Sequence, residues 1–311
     1  MKRKVLILAI MCLSSLILLN LLMACSSPPG PVPPGENEIT DQLGRTVNFT
    51  PSPQRIISLA PSNTEILFAL GLADRVVAVT DYCNYPPEAE EKPSIGGFST
   101  PNIEEIIALS PDLILATSIH EKKIIPQLEA RGITVFALDP KTIDEVLTAI
   151  TLTGRVTGVE ETASGMVSRL QLRIQAVTGR TESLPPEQRP ATLYILWHDP
   201  LMTAGSGTLQ NELMEQAGGT NIGRDIADYG DISLETVIAA NPEVIIAGTG
   251  HGTGGDATFK FAQTETRLRD TLARQQGQVY AIDSDLTSRG GPRIVDGLEQ
   301  LAAFINREIF R

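Results

Sequence analysis

NIEEIIALSPDLILA (102–116) and SLETVIAANPEVIIA (233–247) align without a gap, each with a Glu in third place, a Pro in tenth and an apolar run at its end. Each reads as a helix, a proline break and a buried strand. Two further pairs recur in the same order. NTEILFALG (63–71) loosely matches QNELMEQAG (210–218), and TVFALD (134–139) matches QVYAID (278–283). Chance accounts for one such unit but not for three in one order. The chain is therefore a duplicated α/β lobe and not a short-period solenoid.

Working outward, short apolar runs alternate with helical patterns from Arg55 onward, the signature of βαβ units and parallel sheets. Strands are expected at RIISLA (55–60), RVVAVT (75–80), DLILAT (112–117), ITVFALD (133–139), ATLYILW (191–197), EVIIAG (243–248) and QVYAID (278–283). All are nearly continuous apolar runs, as strands covered on both faces require. Between the two sets lies a helical stretch from Thr142 to about Gly179, with Met166, Val167, Leu170, Ile174 and Val177 at helical spacing, followed by the Pro-rich ESLPPEQRP. The expected fold class is α/β: two Rossmann-like lobes with parallel-rich sheets joined by a single long helix. The cleft between them is the natural ligand site, because strand C-termini and helix N-termini converge there.

The N-terminus has another composition. Lys2, Arg3 and Lys4 precede an apolar run, Val5 to Met23, that ends Leu22-Met23-Ala24-Cys25. This reads as an export signal (1–24) with Cys25 as the lipidated first residue of the mature protein; a retained transmembrane anchor is the alternative. SSPPGPVPPGENE follows, too poor in large apolar residues to pack, so 25–38 is read as a tether. The N-terminal lobe is then 39–141, the helical connection 142–180 and the C-terminal lobe 181–311. Loss of the signal removes three basic and no acidic residues, taking the formal charge of the 311-residue chain from −12 to −15. Such a surface disfavours nucleic acid and anionic membranes. Only Cys83 remains as a thiol, so no intramolecular disulfide is expected.

Little in the chain suggests catalysis. No Ser-His-Asp or Cys-His spacing stands out. GHGTGG (250–255) satisfies a dinucleotide fingerprint, but the following DATFKFAQ opens a helix poorly, and the segment reads as a cleft loop. His120, His198 and His251 each follow an expected strand, without local metal-site spacing. Glu104 and Glu235, equivalent in the repeat, each stand two residues after a capping residue, Asn102 or Ser233. A carboxylate there favours the helix dipole.

DQLGRTVNF, PQRIISLAPSNTEILFALG, RVVAVTDYCNYP, PNIEEIIALSPDLILA, TAGSGTLQNELMEQAGGTNI and SDLTSRGGPRI together resemble the periplasmic binding proteins for cobalamin and iron–siderophores over nearly the whole mature chain. The resemblance implies a class III solute-binding protein, a monomer, not an enzyme and without a cofactor of its own. It implies a corrinoid as transported ligand and the membrane subunits of an ABC importer as partner. A ferric siderophore or haem is the alternative cargo, and an exported enzyme acting on a tetrapyrrole a more distant reading. Among these families the cobalamin carriers look closest. The resemblance places Tyr82, Phe98 and Tyr229 against the corrin, and Asp285 with Arg289 at its edge. Trp197 and His198, at the start of the second lobe, and Met202 complete the expected ligand set. Thr117 and Met202 stand where those carriers have large aromatics. Glu104 and Glu235 occupy the positions that dock on the importer.

Overall fold

A computed structural model describes residues 37–250 and 256–310. The expected signal, Cys25, most of the tether, His251 and all of GHGTGG but Gly250 lie outside the described residues.

A short antiparallel hairpin, β1 (Glu38–Thr40) and β2 (Thr46–Asn48), precedes the first lobe. The buried Asp41 carboxylate fastens it there, accepting from the Leu43 and Arg45 amides at the turn and from Ala137 N (3.1 Å) in the neighbouring strand. The first lobe holds a four-stranded sheet in the order β4-β3-β5-β6, from β3 (Ile56–Ser58), β4 (Val76–Ala78), β5 (Leu113–Ala116) and β6 (Val135–Ala137), all parallel. The second lobe repeats this plan. β7 (Ala191–His198) pairs in parallel with β9 (Thr220–Asn221) and with β11 (Val244–Thr249), which pairs in parallel with β12 (Val279–Asp283). The order β9-β7-β11-β12 thus corresponds to β4-β3-β5-β6. The second lobe adds β8 (Leu201–Ala204) and β10 (Tyr229–Asp231), both antiparallel. These two are short and lack an uninterrupted apolar run, so apolar patterning does not reveal them.

The duplication extends to backbone detail. Ser110 and Asn241, each just before the repeat proline, hold the left-handed conformation at φ +47° and +45°. The acidic residue after each proline then anchors the start of the lobe's first strand: Asp112 accepts from Gln54 N and Arg55 N (2.7 and 2.9 Å), and Glu243 from Ala191 N (3.1 Å).

Strand residues alternate between two apolar layers, as the pleat demands. Ile57, Ile114 and Val135 face a layer confined to the first lobe, and Leu193, Ile195 and Ile245 one confined to the second. Ile56, Leu113, Phe136, Tyr194 and Ile246 face a third layer shared by both lobes. Helices Ile143–Thr157 and Glu160–Thr181 fill that layer with Val146, Ile150, Met166, Leu170 and Val177. Gly158 separates the two helices, at φ +71°, where a Cβ would lie 2.4 Å from the Ser52 hydroxyl. Glu160–Thr181 is the long helix that joins the lobes. Arg173 ties it to Asp296 and Glu299 of the last helix, Ile294–Ile305, at 2.5 and 2.6 Å. The lobes therefore share one core behind the cleft, and the chain from residue 37 on forms a single compact unit. No helix among the described residues is long and apolar enough to cross a membrane.

Candidate functional site

The chain leaves each parallel strand at the same end of its sheet, and there the lobes face each other. Two adjoining cavities of about 500 and 350 Å³ lie between them, sharing Ser62, Phe98, Thr117, Ser288 and Gly290. Helix Pro61–Ala69 opens at the first with Ala60, Pro61 and Ser62, and its repeat equivalent Leu209–Gln216 opens at the second with Thr208 and Leu209. Two helix N-termini thus face the space, offering amide donors and partial positive charge.

Phe98 stands where the cavities meet, and His120 holds it there. The Thr117 amide donates to His120 Nδ1 at 3.1 Å, so the ring proton is on Nε2, which donates to the Phe98 carbonyl at 2.7 Å. The two rings meet edge to face, with centroids 5.5 Å apart at 86°. His120 is fully buried; that burial pushes its pKa down, against the two backbone hydrogen bonds. One neutral imidazole therefore fixes two cleft residues, Phe98 and Thr117. The strand-end position of His120 was visible in sequence; this bond pattern was not.

Tyr82 lines the larger cavity and is 60% exposed. Its neighbour Cys83 points the other way, buried and free, and anchors the loop with the Thr64 and Thr80 hydroxyls 3.1 and 3.2 Å from its sulfur. Tyr229 lines the smaller cavity, and its hydroxyl donates to Gln210 Oε1 at 3.2 Å. Desolvation of that hydroxyl raises its pKa, against the lowering by Gln210.

Asp285 and Arg289 form an ion pair at 2.8 Å, and Arg289 lines the larger cavity. The guanidinium also reaches across the lobes to Glu65 (3.2 Å), Asn84 Oδ1 (2.8 Å) and the Tyr82 carbonyl (3.4 Å). Glu65, buried in the first helix, further accepts from Arg293 at 2.6 and 3.0 Å, and Arg293 stacks on the Tyr85 ring. The pair read as an edge contact is thus part of an interlobe clamp. Asp285 meets Arg289 and is not among the cavity-lining residues. Glu65 sits inside a helical run and gave no signal of this role. Next to the clamp, Gly290 packs on Pro140 so closely that a Cβ would lie 2.6 Å from its Cγ.

Trp197, His198 and Met202 line neither cavity. The β7–β8 hairpin pairs His198 with Leu201 and Trp197 with Met202 at its turn end, whereas the chain reaches the smaller cavity beyond β8, at Gly207 and Thr208. His198 lies between Trp197 and Phe261, with centroids 4.9 and 5.8 Å away, and its buried Nδ1 has no partner among the described residues. Among the described residues no three His, Cys, Asp or Glu side chains cluster as metal ligands.

Glu104 and Glu235 are exposed in the first turns of helices Ile103–Ala108 and Leu234–Ala240. Asn102 Oδ1 accepts from Glu104 N (3.1 Å), and Ser233 Oγ accepts from Thr236 N (3.0 Å). The preceding chain lines the cleft in both lobes, at Thr100 and at Tyr229, so each carboxylate follows a cleft-lining segment, one per lobe.

Comparison with known proteins is consistent with this geometry. Residues 56–286 match the family model described as periplasmic binding protein. An uncharacterized ABC transporter substrate-binding lipoprotein of Bacillus subtilis is 30% identical over 281 residues, 88% of this chain and 86% of that one. A vitamin B12-binding protein of Vibrio cholerae is 32% identical over 254 residues, 81% of this chain and 89% of that one. The crystal structure of the periplasmic vitamin B12 binding protein of Vibrio cholerae superposes with a TM-score of 0.71 at 30% identity, covering 83% of this chain and 98% of that one. A periplasmic heme-binding protein from Roseiflexus, in apo form, gives 0.73 at 26% identity, over 82% and 99%.

Proposed function

This chain belongs to the periplasmic binding protein family, and we propose that it is an extracytoplasmic, lipid-anchored substrate-binding protein that delivers a corrinoid to an ABC importer. The observation that carries the ligand reading is the cleft itself. Its wall is aromatic at Tyr82, Phe98 and Tyr229, and between them stand helix N-termini and hydroxyls. A corrin is a large disc with an apolar face and an amide-rich rim. Aromatic rings suit the face, while amide and hydroxyl groups suit the rim. The vitamin B12-binding relatives support the same reading. Glu104 and Glu235, exposed and one per lobe, suit a partner with two similar half-sites and carry the proposed docking. Cys25 carries the lipid in this reading, which the lipoprotein description of the Bacillus relative supports.

Haem or a ferric siderophore is the second reading, favoured by the heme-binding structural neighbour and by the small Thr117 in the cleft wall. Calorimetric titration of the purified protein with cyanocobalamin, haem and ferric siderophores tests the choice. One cyanocobalamin per chain is the expected result. Tight haem binding without a heat or melting shift from any corrinoid would transfer the assignment to the second reading.

A further inference from the structure

The charges lining the cleft are few and, with one exception, already matched. Lys141 and Arg289 are the cations of the two cavities, and Asp139 and Asp228 the anions. Lys141 Nζ lies 3.0 Å from Asp139 Oδ2, and Ser118 donates to the other oxygen of that carboxylate at 2.7 Å. Arg289 is held by Glu65 and Asp285 at 3.2 and 2.8 Å. Asp228, exposed in the wall of the smaller cavity, has no ion-pair partner among the described residues. The helix N-termini add partial positive charge, which favours anions; against it stands the full negative charge of Asp228. Among the described residues the cleft therefore has no side-chain cation free of an ion pair to offer a ligand carboxylate, and it carries one carboxylate, Asp228, outside any ion pair.

We infer that this charge arrangement, with Asp228 at its centre, is a specificity device: the cleft admits ligands whose rim is neutral and discriminates against the same ligands bearing carboxylates. The inference rests on the corrinoid reading of the cleft and narrows it to fully amidated rims. A carboxylate brought into this space loses water and meets either a like charge or a cation that must first release its partner. At separations of several ångströms in a partly wet site, one such repulsion corresponds to about a tenfold loss of affinity.

The test compares matched ligand pairs: cyanocobalamin with its peripheral monocarboxylic acids, and haem dimethyl ester with haem. Each is titrated against wild type and Asp228→Asn at low and at physiological salt. Asp228 is exposed at φ +54°, a conformation Asn adopts readily, so the variant should fold. The expected result is that the neutral member of each pair binds wild type about tenfold more tightly. That ratio should fall towards one in Asp228→Asn and shrink as salt rises. A wild-type ratio near one with cyanocobalamin bound overturns the charge filter and leaves the corrinoid reading standing, as does a ratio that Asp228→Asn leaves unchanged. Tight haem binding with none of cyanocobalamin or the dimethyl ester overturns both.

Discussion

Glu65 and Arg289 join the two lobes beside the larger cavity: Arg289 Nη1 lies 3.2 Å from Glu65 Oε1, and their side chains are 13% and 2% exposed. Arg293 binds the same carboxylate from the second lobe at 2.6 Å. One buried anion thus pairs with two guanidinium groups contributed by the other half of the repeat, and Asp285 supplies the second negative charge, on Arg289. Because Arg289 also bonds Asn84 and the Tyr82 carbonyl, the contact that fixes the lobes also fixes the Tyr82 loop.

Glu65→Gln keeps the shape but leaves the two cations without their common partner. Breaking a nearly buried pair of this kind costs about 3 kcal/mol, seen as a lower midpoint in urea unfolding. Ligand dissociation should quicken in the same variant. Gly290→Ala presses a methyl group on Pro140 from the opposite lobe and should likewise weaken binding. Wild-type stability and dissociation rate in both variants would show that the lobe spacing does not depend on these contacts.

Phe98 and Tyr82 should separate affinity from stability. Phe98→Ala removes the ring common to both cavities and should lower affinity tenfold to a hundredfold, about 1.4–2.8 kcal/mol. Tyr82 is 60% exposed in the free protein, so Tyr82→Ala should change unfolding free energy by less than about 0.5 kcal/mol while still lowering affinity. Calorimetry with cyanocobalamin, set beside urea unfolding of the same preparations, reads both quantities. Full affinity in both variants would remove the aromatic wall from the binding mechanism.

His120 predicts a pH dependence. Burial lowers its folded-state pKa below the ordinary 6.5, so folding favours the neutral ring. Its contribution is fully present above about pH 6.5, where both states are neutral. It is lost as pH falls from there through the lowered folded value, because the unfolded chain binds the proton first. Protonation also removes the acceptor for the Thr117 amide, so the Phe98 wall and ligand affinity should weaken over the same window. His120→Gln should flatten that part of the profile. Identical pH profiles of affinity in wild type and variant would dismiss the role of His120 in holding Phe98.

Glu104 and Glu235 predict a transport defect without a binding defect. The double Gln variant should keep its ligand affinity, since neither side chain lines the cleft, yet lose uptake, with each single variant in between. If the carboxylates served only the helix dipoles, the variants would lose about 0.3–1 kcal/mol of stability each and transport normally. Binding to the reconstituted importer at two salt concentrations distinguishes these outcomes, because rim charges act chiefly on association rate.

Much of the architecture was legible in the residues alone. The repeat of Glu, Pro and apolar run at 102–116 and 233–247 carried the duplicated lobe, since local patterning and strand burial suffice to specify helix, break and strand. The seven apolar runs coincide with β3–β7, β11 and β12. Tyr82, Phe98, Tyr229 and Arg289, which the resemblance to a family placed at the ligand, line the two cavities between the lobes.

What only the tertiary structure decided concerns contacts between residues far apart in the chain. Glu65 reads as an ordinary helical residue, and becomes a clamp because the second lobe delivers Arg289 and Arg293, more than 220 positions later, to its carboxylate. Asp139, Lys141 and Asp228 carry no motif; strand ends in opposite lobes place them around one cavity. Trp197 and His198 end β7 and Met202 lies in β8, yet all three stay off the cavity walls: they sit at the turn end of the hairpin, and the chain reaches the cavity only beyond β8, at Gly207. Periodicity reports which face of an element is buried. Which charges meet across a cleft depends on how two independently patterned lobes are held by the core they share, a relation with no local trace in the sequence.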